Sequence, residues 1–242
     1  MLSIEQLESR KSGIGGSDAA SVIGLNKYKS PLQLYLEKTG EVESEDLSGN
    51  ERVHFGNVLE ETVAQEYARR TGYKVQRRNK HFTHKTYPFL LANIDRVVVG
   101  QDRILECKTA GSQFKDSEWG ESGTDLVPMH YFIQCVHYMA VLDKSVCDLA
   151  VLIAGNDFRI YTIYRDLALE RKWLKAMKEF WLNHVQPLVQ PPISASSDLG
   201  LMFPASTPET TVTATPEVED LVLHPRLHSY PTKRPAEPRN DR

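Results

Sequence analysis

The chain has 242 residues, of which 40% are hydrophobic and 25% are charged, and its formal net charge is −3 at pH 7. This composition is ordinary for a folded globular protein, and it excludes a chain that is basic along its whole length. No apolar run approaches the roughly 20 residues that cross a bilayer, so we expect no membrane anchor. The three cysteines form no CxxC pair and the first residues lack an apolar leader, which favours a cytoplasmic location.

A glycine-rich turn leads into the first predicted helix. Three glycines lie between residues 13 and 16, and Ser17 is a suitable N-cap for a helix through Ile23. Such a turn at a helix N-terminus offers backbone N–H groups to an anion. The alternative is an ordinary capped turn without a ligand, since no GK[ST] motif follows it and no strand precedes it.

Two further helices are predicted next. The first covers residues 31–40 and starts with the Ser-Pro pair typical of a helix N-terminus. The second covers residues 53–70 and stops at Gly72, with apolar residues at helical spacing. Glu60 lies beside that apolar stripe, whereas Glu61 falls about 100° further round the helix. Taken alone, both glutamates are also compatible with solvated surface charges.

A basic stretch follows the second of these helices. Between Glu66 and Asp95 the chain has no acidic residue but contains Arg69, Arg70, Lys74, Arg77, Arg78, Lys80 and Lys85. A local basic zone of this kind is compatible with a nucleic-acid phosphate backbone. The alternative is a solvated helix end followed by a surface strand.

The most informative stretch is FLLANIDRVVVGQDRILECKTA, residues 89–110, which indicates two apolar strands joined by a turn at Gly100–Gln101. A two-residue II′ turn sets Asp95 directly opposite Glu106, with Lys108 on the same face. A four-residue loop would instead place Asp95 opposite Lys108. Two carboxylates and an ammonium group in an apolar hairpin predict either a salt-bridged surface or a site for a divalent cation.

The chain after this hairpin begins with a long polar loop and continues with a helix after Pro128. Tyr131, Gln134 and Tyr138 share one face of that helix, at positions i, i+3 and i+7. A glutamine at such a position is equally compatible with an ordinary polar surface. A second hairpin is predicted around Gly155–Asn156, where two alternating strands meet.

The predicted closing helix covers residues 167–185, and the composition changes after it. From about residue 186 onward Pro, Thr and Ser dominate, and the chain ends in a basic segment. Such a composition cannot bury enough apolar surface to fold alone. We therefore expect one folded domain over residues 1–190 and a disordered tail over residues 191–242.

Five blocks of the sequence resemble, in family order, the YqaJ-type viral recombinases, which are relatives of the lambda-phage exonuclease. The blocks are RKSGIGGSDAASVIG, FGNVLEETVAQEYARRTG, NIDRVVV, LECKTA and VPMHYFIQCVHYMAV, and the resemblance as a whole covers roughly residues 10–185. The resemblance implies the PD-(D/E)xK nuclease core: an α/β, restriction-endonuclease-like fold whose central mixed β-sheet is flanked by helices. One departure is Ile94, which stands where the family pattern has a proline before Asp95.

The resemblance also implies a metal site. Asp95 and Glu106 match the metal-binding carboxylates, and the Cys107 carbonyl matches a backbone ligand. Glu60 matches a helical glutamate that helps to position the metal and the attacking water. Lys108 matches the lysine that holds and activates that water. The implied metal is Mg²⁺, for which Mn²⁺ is expected to substitute.

Three further residues match functional positions of the family. Gln134 corresponds to the glutamine of the helix after the core hairpin and is counted with the catalytic set. Arg10 and Ser17 keep the spacing of the arginine and serine that grip the terminal 5′-phosphate. The glycine-rich turn would then select a chain end.

The implied function is a Mg²⁺-dependent exonuclease that degrades one strand of linear double-stranded DNA from its 5′ end. The 3′ overhangs would serve a single-strand annealing protein in phage or prophage recombination, in the cytoplasm of a bacterial host. The resemblance further implies a ring-like homotrimer. Two alternatives stay open: another nuclease with the same core, either an endonuclease or a single-strand-specific enzyme, and a non-catalytic DNA-binding protein.

Overall fold

The structure is a computed structural model, and it describes residues 11–78, 80–114, 118–202, 213–216 and 218–219. The chain divides into two units, Met1–Ser194 and Ala195–Arg242. Within the described residues, no helix is both long enough and apolar enough to cross a membrane.

The described strands form two sheets within the first unit. The strands are β1 (Val75–Arg77), β2 (Phe82–Thr83), β3 (Leu91–Ala92), β4 (Arg96–Val98), β5 (Arg103–Ala110), β6 (Val146–Ile153) and β7 (Asp157–Tyr164). The central sheet has the order β1-β4-β5-β6-β7; its β5–β6 pair is parallel and its other pairs are antiparallel. Strands β2 and β3 form a separate antiparallel pair. The central sheet is therefore mixed, as predicted.

Helices of the first unit flank this sheet. They are α1 (Gly16–Val22), α2 (Pro31–Thr39), α3 (Glu51–Thr71), α4 (Met129–Leu142) and α5 (Leu167–Phe180). The second unit contains α6 (Ser196–Met202). A 3₁₀ turn covers Ser112–Phe114, and a π-helical turn over Trp181–Val185 extends α5. Parallel strands need a crossover connection, and α4 supplies it between β5 and β6.

Helices α3 and α4 lie on opposite faces of the sheet. Side chains alternate along a strand, so neighbouring residues of β5 contact different helices. Leu105 belongs to an apolar cluster with Val63 and Tyr67 of α3. Glu106, the next residue, contacts Gln134 of α4. This alternation places Glu106 and Lys108 on the α4 side.

The register of the β4–β5 hairpin is the predicted one. Arg96 pairs with Leu105 and Val97 pairs with Ile104, which sets Asp95 opposite Glu106. Gly100 has φ +76°, and a hydrogen bond of 3.3 Å from the Gln101 N–H to the Val98 carbonyl oxygen makes it the second central residue of the turn, not the first as predicted. The alternative pairing of Asp95 with Lys108 is wrong.

The first strand of that hairpin differs from the prediction. We expected one strand leading to the turn, but the structure divides it into β3, which pairs with β2, and β4, which pairs with β1 and β5. The break falls at Asp95, whose Oδ2 atom accepts a hydrogen bond from the Cys107 N–H at 2.7 Å. A side chain thus satisfies the donor that a longer β4 would have bonded through its backbone.

Most predicted helix ends are confirmed. The Ser30 side chain caps α2 by accepting a hydrogen bond from the Gln33 N–H at 3.0 Å. Gly40 and Gly72 end α2 and α3 in the left-handed conformation, with φ +80° and +71°. Helix α3 begins at Glu51, two residues earlier than predicted, because the Asn50 side chain caps its N-terminus.

The prediction that Ser17 is an N-cap is wrong. Helix α1 begins at Gly16 with Gly15 as its N-cap residue, so Ser17 lies inside the first turn. The reason is Asp18, whose Oδ2 atom accepts a hydrogen bond from the Gly15 N–H at 3.0 Å. Glycine also suits position 16, because a Cβ there would lie 2.4 Å from the Tyr138 ring.

The predicted tail contains one described helix. Helix α6, over Ser196–Met202, lies within the segment for which we predicted disorder. Its N-terminus is stabilised by the Asp198 carboxylate, which accepts a hydrogen bond from the Ala195 N–H at 3.1 Å. Residues 203–212, 217 and 220–242 lie outside the described part of the chain.

Candidate active site

The candidate site lies next to the start of β4, beside the part of β5 that extends past it. The β4 ladder reaches only Leu105, so the next residues of β5 are left without β4 along that edge. The Cys107 N–H donates to Asp95 on this edge, at 2.7 Å. The N–H and C=O groups of one strand residue point to the same side, so the Cys107 carbonyl oxygen also faces this opening. An aspartate oxygen and a backbone carbonyl thus lie together.

Glu106 is the most constrained acidic group of the site. Its side chain is buried, and its Oε1 atom accepts hydrogen bonds from Lys108 Nζ at 2.6 Å and from Gln134 Nε2 at 2.8 Å. Its other oxygen, Oε2, is buried without a hydrogen-bond partner among the described residues. Burial, and then the charge of Asp95, raise the pKa of Glu106 to about 8. The ionised carboxylate therefore needs a further positive partner.

Asp95 and Lys108 complete this cluster. Burial raises the pKa of Asp95, although the charge of Lys108 opposes the shift. Burial would lower the pKa of Lys108, but the charges of Glu106 and Asp95 outweigh it and raise that pKa. The Nζ atom of Lys108 lies 5.0 Å from the centroid of the Tyr131 ring, within the range of a cation–π contact. Lys108 is therefore held as a cation beside the two carboxylates.

Gln134 positions Glu106 from the α4 side. Its Nε2 atom donates to Glu106 Oε1 at 2.8 Å and to the Tyr138 hydroxyl oxygen at 2.9 Å. Tyr131, Gln134 and Tyr138 lie on one face of α4, as the sequence spacing predicts. The hydroxyl group of Tyr138 was missed in the sequence, because an aromatic residue at helical spacing also fits a plain core position.

Glu60 comes to the cleft from α3, and it is held there by arginines. Its Oε1 atom accepts hydrogen bonds from Arg96 Nη1 at 2.6 Å and from Arg77 Nη2 at 3.1 Å. Arg96 is 2% exposed, and its Nη2 atom donates to Glu61 Oε2 at 2.7 Å. Sequence reasoning missed Arg96. A signal was available: Arg96 lies two residues before Val98, so the two side chains share the core-facing side of the strand, where an arginine is unexpected.

The predicted ligand set is therefore divided. Asp95 and Glu106 lie together, whereas Glu60 is engaged by Arg96. In the described part of the chain, no three His, Cys, Asp or Glu side chains are arranged as a preassembled metal site. The residues at the edge of β5 nevertheless fit a hard divalent cation, because they offer a buried carboxylate oxygen, a second carboxylate and a carbonyl oxygen.

An open cleft of about 880 Å³ leads to these groups, and Glu60, Asp95, Cys107 and Lys108 line it. Its rim carries two exposed aromatic side chains, Tyr28 and Phe55, which are 69% and 52% exposed. Exposed aromatic rings beside a polar cleft can stack on nucleic-acid bases.

An ion pair joins two segments of the cleft lining. Lys27 Nζ lies 2.7 Å from Glu118 Oε1, and both residues line the cleft. Lys27 follows α1, whereas Glu118 lies in the polar loop before α4. A phosphate entering between them would compete with Glu118 for the ammonium group.

Of the two residues predicted to grip a 5′-phosphate, Ser17 lies within the described part of the chain. Ser17 is exposed in the first turn of α1, and the described cleft lining does not include it. Its neighbour Gly16 contacts Tyr138, which is linked to Gln134. Arg10 lies outside the described residues.

The basic stretch after α3 is partly neutralised within the protein. Arg69 and Arg70 each form an ion pair with Glu66 at 2.7 Å, and Arg77 pairs with Glu60 at 3.1 Å. These guanidinium groups would have to exchange a carboxylate for a phosphate before they could bind DNA. The stretch is thus a weaker indication of DNA binding than its composition predicts.

Comparison with protein families matches residues 5–145 to the YqaJ-like viral recombinase domain. A curated relative, the uncharacterized protein YqaJ of Bacillus subtilis (strain 168), is 42% identical over 195 residues, which are 80% of this chain and 60% of the relative. The chain therefore spans less than two thirds of the length of this relative.

Comparison with solved structures identifies the fold. An alkaline exonuclease from Laribacter hongkongensis, LHK-Exo, has a TM-score of 0.59 and 17% identity, covering 77% of this chain and 94% of that chain. Its complex with dAMP has a TM-score of 0.58 and 17% identity, covering 76% of this chain and 94% of that chain. At this identity the likeness shows the fold alone, and the predicted restriction-endonuclease-like class is confirmed.

Proposed function

The chain belongs to the YqaJ-like viral recombinase family, and on that premise we propose that it is a Mg²⁺-dependent deoxyribonuclease. The observation that carries the proposal is the cluster at the edge of β5. There Glu106 feels the charge of a second carboxylate, Asp95, and accepts a hydrogen bond from the Lys108 ammonium group through Oε1, while its Oε2 atom is buried without a described partner. Such a cluster suits phosphodiester hydrolysis, in which two carboxylates together bind a divalent cation.

The residues of the cleft take distinct roles in this reaction. Asp95, Glu106 and the Cys107 carbonyl hold the cation. When bound, it lowers the pKa of a water molecule and stabilises charge on the phosphoryl oxygens. Lys108 orients the attacking water and adds positive charge beside the scissile phosphate. Gln134 fixes the Glu106 carboxylate through its 2.8 Å hydrogen bond.

The proposed substrate is linear double-stranded DNA, degraded on one strand from the 5′ end. Two observations support a deoxyribonucleic substrate: the alkaline exonuclease with the same fold has been solved with dAMP, and exposed aromatic residues lie at the cleft rim. Arg10 and Ser17 would supply the 5′-phosphate contact. This direction rests on the family resemblance.

The proposed setting is recombination by single-strand annealing in the cytoplasm of a bacterial host. The 3′ overhangs would be passed to an annealing protein. A ring-like homotrimer around the duplex is part of the same proposal, and Mn²⁺ is expected to replace Mg²⁺. All three expectations come from the family resemblance.

The test is digestion of four DNA substrates with and without Mg²⁺: linear duplexes with 5′-phosphate or 5′-hydroxyl ends, single strands, and closed circles. We expect Mg²⁺-dependent loss of the linear duplexes only, abolished by Glu106→Gln and retained by Glu179→Gln, which changes an exposed glutamate on α5. Cutting of closed circles would identify an endonuclease. DNA binding without hydrolysis in Mg²⁺ or Mn²⁺ would identify a non-catalytic protein.

A further inference from the structure

The ion pair between Lys27 and Glu118 belongs to the cleft lining and joins segments 91 positions apart in the chain. Lys27 Nζ lies 2.7 Å from Glu118 Oε1, and the two side chains are 44% and 32% exposed. An ion pair at this exposure contributes little to stability, because water screens it and two long side chains lose freedom. The Glu118 carboxylate can therefore be replaced on Lys27 by another anion at small cost.

Basic groups from three segments surround Glu118 in the cleft. Lys27 follows α1, Lys108 lies on β5, and His130 lies in the first turn of α4; all three line the same cleft. Burial lowers the pKa of His130, the charge of Glu118 opposes this shift, and the charges of Lys27 and Lys108 add to it. These groups therefore act on one another, and the Glu118 carboxylate is an anion among basic side chains.

Lys27 is presented to the cleft by a fixed turn. The Asn26 side chain accepts a hydrogen bond from the Tyr28 N–H at 2.9 Å and donates one to the buried Ser21 hydroxyl oxygen at 2.9 Å. Tyr28 also lines the cleft, and Lys27 Nζ lies 5.2 Å from the centroid of its ring. A cation beside an exposed ring suits a nucleic-acid strand, because the charge binds a phosphate and the ring stacks on a base.

The segment that carries Glu118 is fixed at its next residues. The Trp119 ring is buried and lies 5.4 Å from the Tyr161 ring, centroid to centroid. The Gly120 carbonyl oxygen accepts a hydrogen bond from the Tyr161 hydroxyl group at 2.7 Å. Rotation of the Glu118 side chain is therefore enough to release Lys27, and the backbone at Trp119 and Gly120 can stay in place.

We propose that the Glu118 carboxylate occupies a phosphate-binding subsite at Lys27, and that a phosphodiester group of the bound DNA strand displaces it. Glu118 then lowers the affinity of the cleft for DNA, because it competes with the phosphate for the same ammonium group. The phosphodiester is an internal one, since the described cleft lining contains Lys27 but not Ser17, the predicted contact of the terminal phosphate. The inference rests on the proposed function, because it takes DNA as the molecule that enters the cleft.

The first test measures binding of a 5′-hydroxyl DNA duplex to the full chain by fluorescence anisotropy, in EDTA to prevent hydrolysis. Glu118→Gln should lower the Kd by about fivefold, because the competitor of the phosphate is removed. The matched control is Glu121→Gln, which changes an exposed acid three residues further along, outside the described cleft lining. Its Kd should stay within about twofold of the unchanged protein. Equal gains in both variants would be an effect of net charge and would overturn the inference.

Lys27→Gln tests whether the gain acts through the ammonium group. This variant should bind DNA more weakly, and the slope of log Kd against log salt concentration should fall by about one, because one phosphate contact is lost. Adding Glu118→Gln to Lys27→Gln should bring no further gain, since the carboxylate then has no ammonium group to occupy. A gain that persists in this double variant is repulsion of DNA by Glu118 alone and would overturn the inference.

The digestion assay in Mg²⁺ separates this inference from the proposed function. If Glu118→Gln binds DNA more tightly but no variant digests it, the proposed nuclease is wrong and the phosphate subsite stands. If linear duplex is digested but Glu118→Gln binds no more tightly than the unchanged protein, the subsite is wrong and the nuclease stands. A gain that requires 5′-phosphate ends would overturn the assignment to an internal phosphodiester.

Discussion

Gln134 reaches from α4 to the sheet and donates a hydrogen bond of 2.8 Å from Nε2 to the Oε1 atom of Glu106. The same Glu106 oxygen accepts a hydrogen bond from Lys108, at 2.6 Å. Two donors on Oε1 leave Oε2 as the buried oxygen without a described hydrogen-bond partner. Gln134 therefore helps to fix the orientation of the Glu106 carboxylate, although it carries no charge.

The first prediction concerns this contact. Gln134→Leu keeps a similar volume but removes the donor, so Glu106 can rotate. We expect the rate of linear-duplex digestion at saturating Mg²⁺ to fall by about 10- to 100-fold, the usual effect of losing a group that orients a metal ligand. Tyr138→Phe removes only the hydroxyl group that contacts Gln134, so it should lower the digestion rate by a smaller factor. Equal losses in both variants would contradict the assigned role.

The second prediction concerns proton release on cation binding. Because the pKa of Glu106 is raised to about 8, this group holds a proton near pH 7 until a cation displaces it. Mn²⁺ affinity should therefore rise with pH up to about 8 and then level off. Calorimetry in two buffers of different ionisation enthalpy measures the released proton. In Glu106→Gln, any remaining Mn²⁺ binding should release no proton in this range.

The raised pKa of Glu106 also affects the pH dependence of the free energy of unfolding. A carboxyl group whose folded pKa is raised holds more protons in the folded state, so the cation-free protein should lose stability as pH rises from about 4.5 to 8. Urea unfolding across this range should show that slope, and Glu106→Gln should flatten it. If the stability of Glu106→Gln falls with pH as steeply as that of the unchanged protein, another group causes the pH dependence.

The sequence left two registers open for the β4–β5 hairpin, with Asp95 opposite either Glu106 or Lys108. Both keep the charged side chains on one face, because side chains alternate along a strand, and the structure adopts the first register. The helix stops at Gly40 and Gly72 were predictable, because only glycine adopts the left-handed conformation there at little cost. Local chemistry determines these features.

Other features depend on which of several possible contacts forms, and a single sequence does not display that choice. The start of α1 was misplaced because Asp18, three residues after Gly15, supplies the cap. The pairing of Glu60 with Arg96 joins residues 36 positions apart. In the sequence, Glu60 resembles any solvated helical glutamate. Its engagement by a buried guanidinium group emerges only from the packing of α3 on β4.

The third prediction concerns His137, which is fully buried on α4 and whose Nε2 atom lies 2.8 Å from the Leu91 carbonyl oxygen. Burial lowers its pKa from 6.5 to about 4. Between pH 6.5 and 4, His137 is therefore protonated in the unfolded chain but neutral in the folded protein. Stability should fall as pH drops from 6.5 to 4, and this group contributes up to about 3 kcal/mol of the loss.

Comparison with a variant isolates this contribution. His137→Gln should lower stability at pH 7, because a buried contact is disturbed, but its further loss between pH 6.5 and 4 should be smaller than that of the unchanged protein. Urea unfolding at several pH values measures the difference. His54→Gln, at an exposed position on α3, should leave the pH dependence as it is. Parallel curves for His137→Gln and the unchanged protein would show that another group causes the acid lability.

The fourth prediction concerns the close approach of α1 to α4. A Cβ at Gly16 would lie 2.4 Å from the Tyr138 ring, whereas a Cβ at Gly49 would meet no described atom within 4 Å. Gly16→Ala should therefore lower the free energy of unfolding by about 1–3 kcal/mol. Gly49→Ala should change it by less than about 0.5 kcal/mol. Tyr138→Leu should restore part of the loss in Gly16→Ala if the ring is the obstacle.

The last prediction concerns the choice of DNA end. If Arg10 binds the terminal 5′-phosphate, Arg10→Ala should remove an ionic contact that a 5′-hydroxyl end never makes. The rate on phosphorylated duplex should then fall by about tenfold, as expected for the loss of a charged hydrogen bond. The rate on hydroxyl-ended duplex should change little, so the ratio of the two rates is the measurement. Lys11→Ala, at the exposed neighbouring position, should leave the ratio unchanged. An equal fall on both ends would mean that Arg10 contacts the DNA without recognising its terminal phosphate.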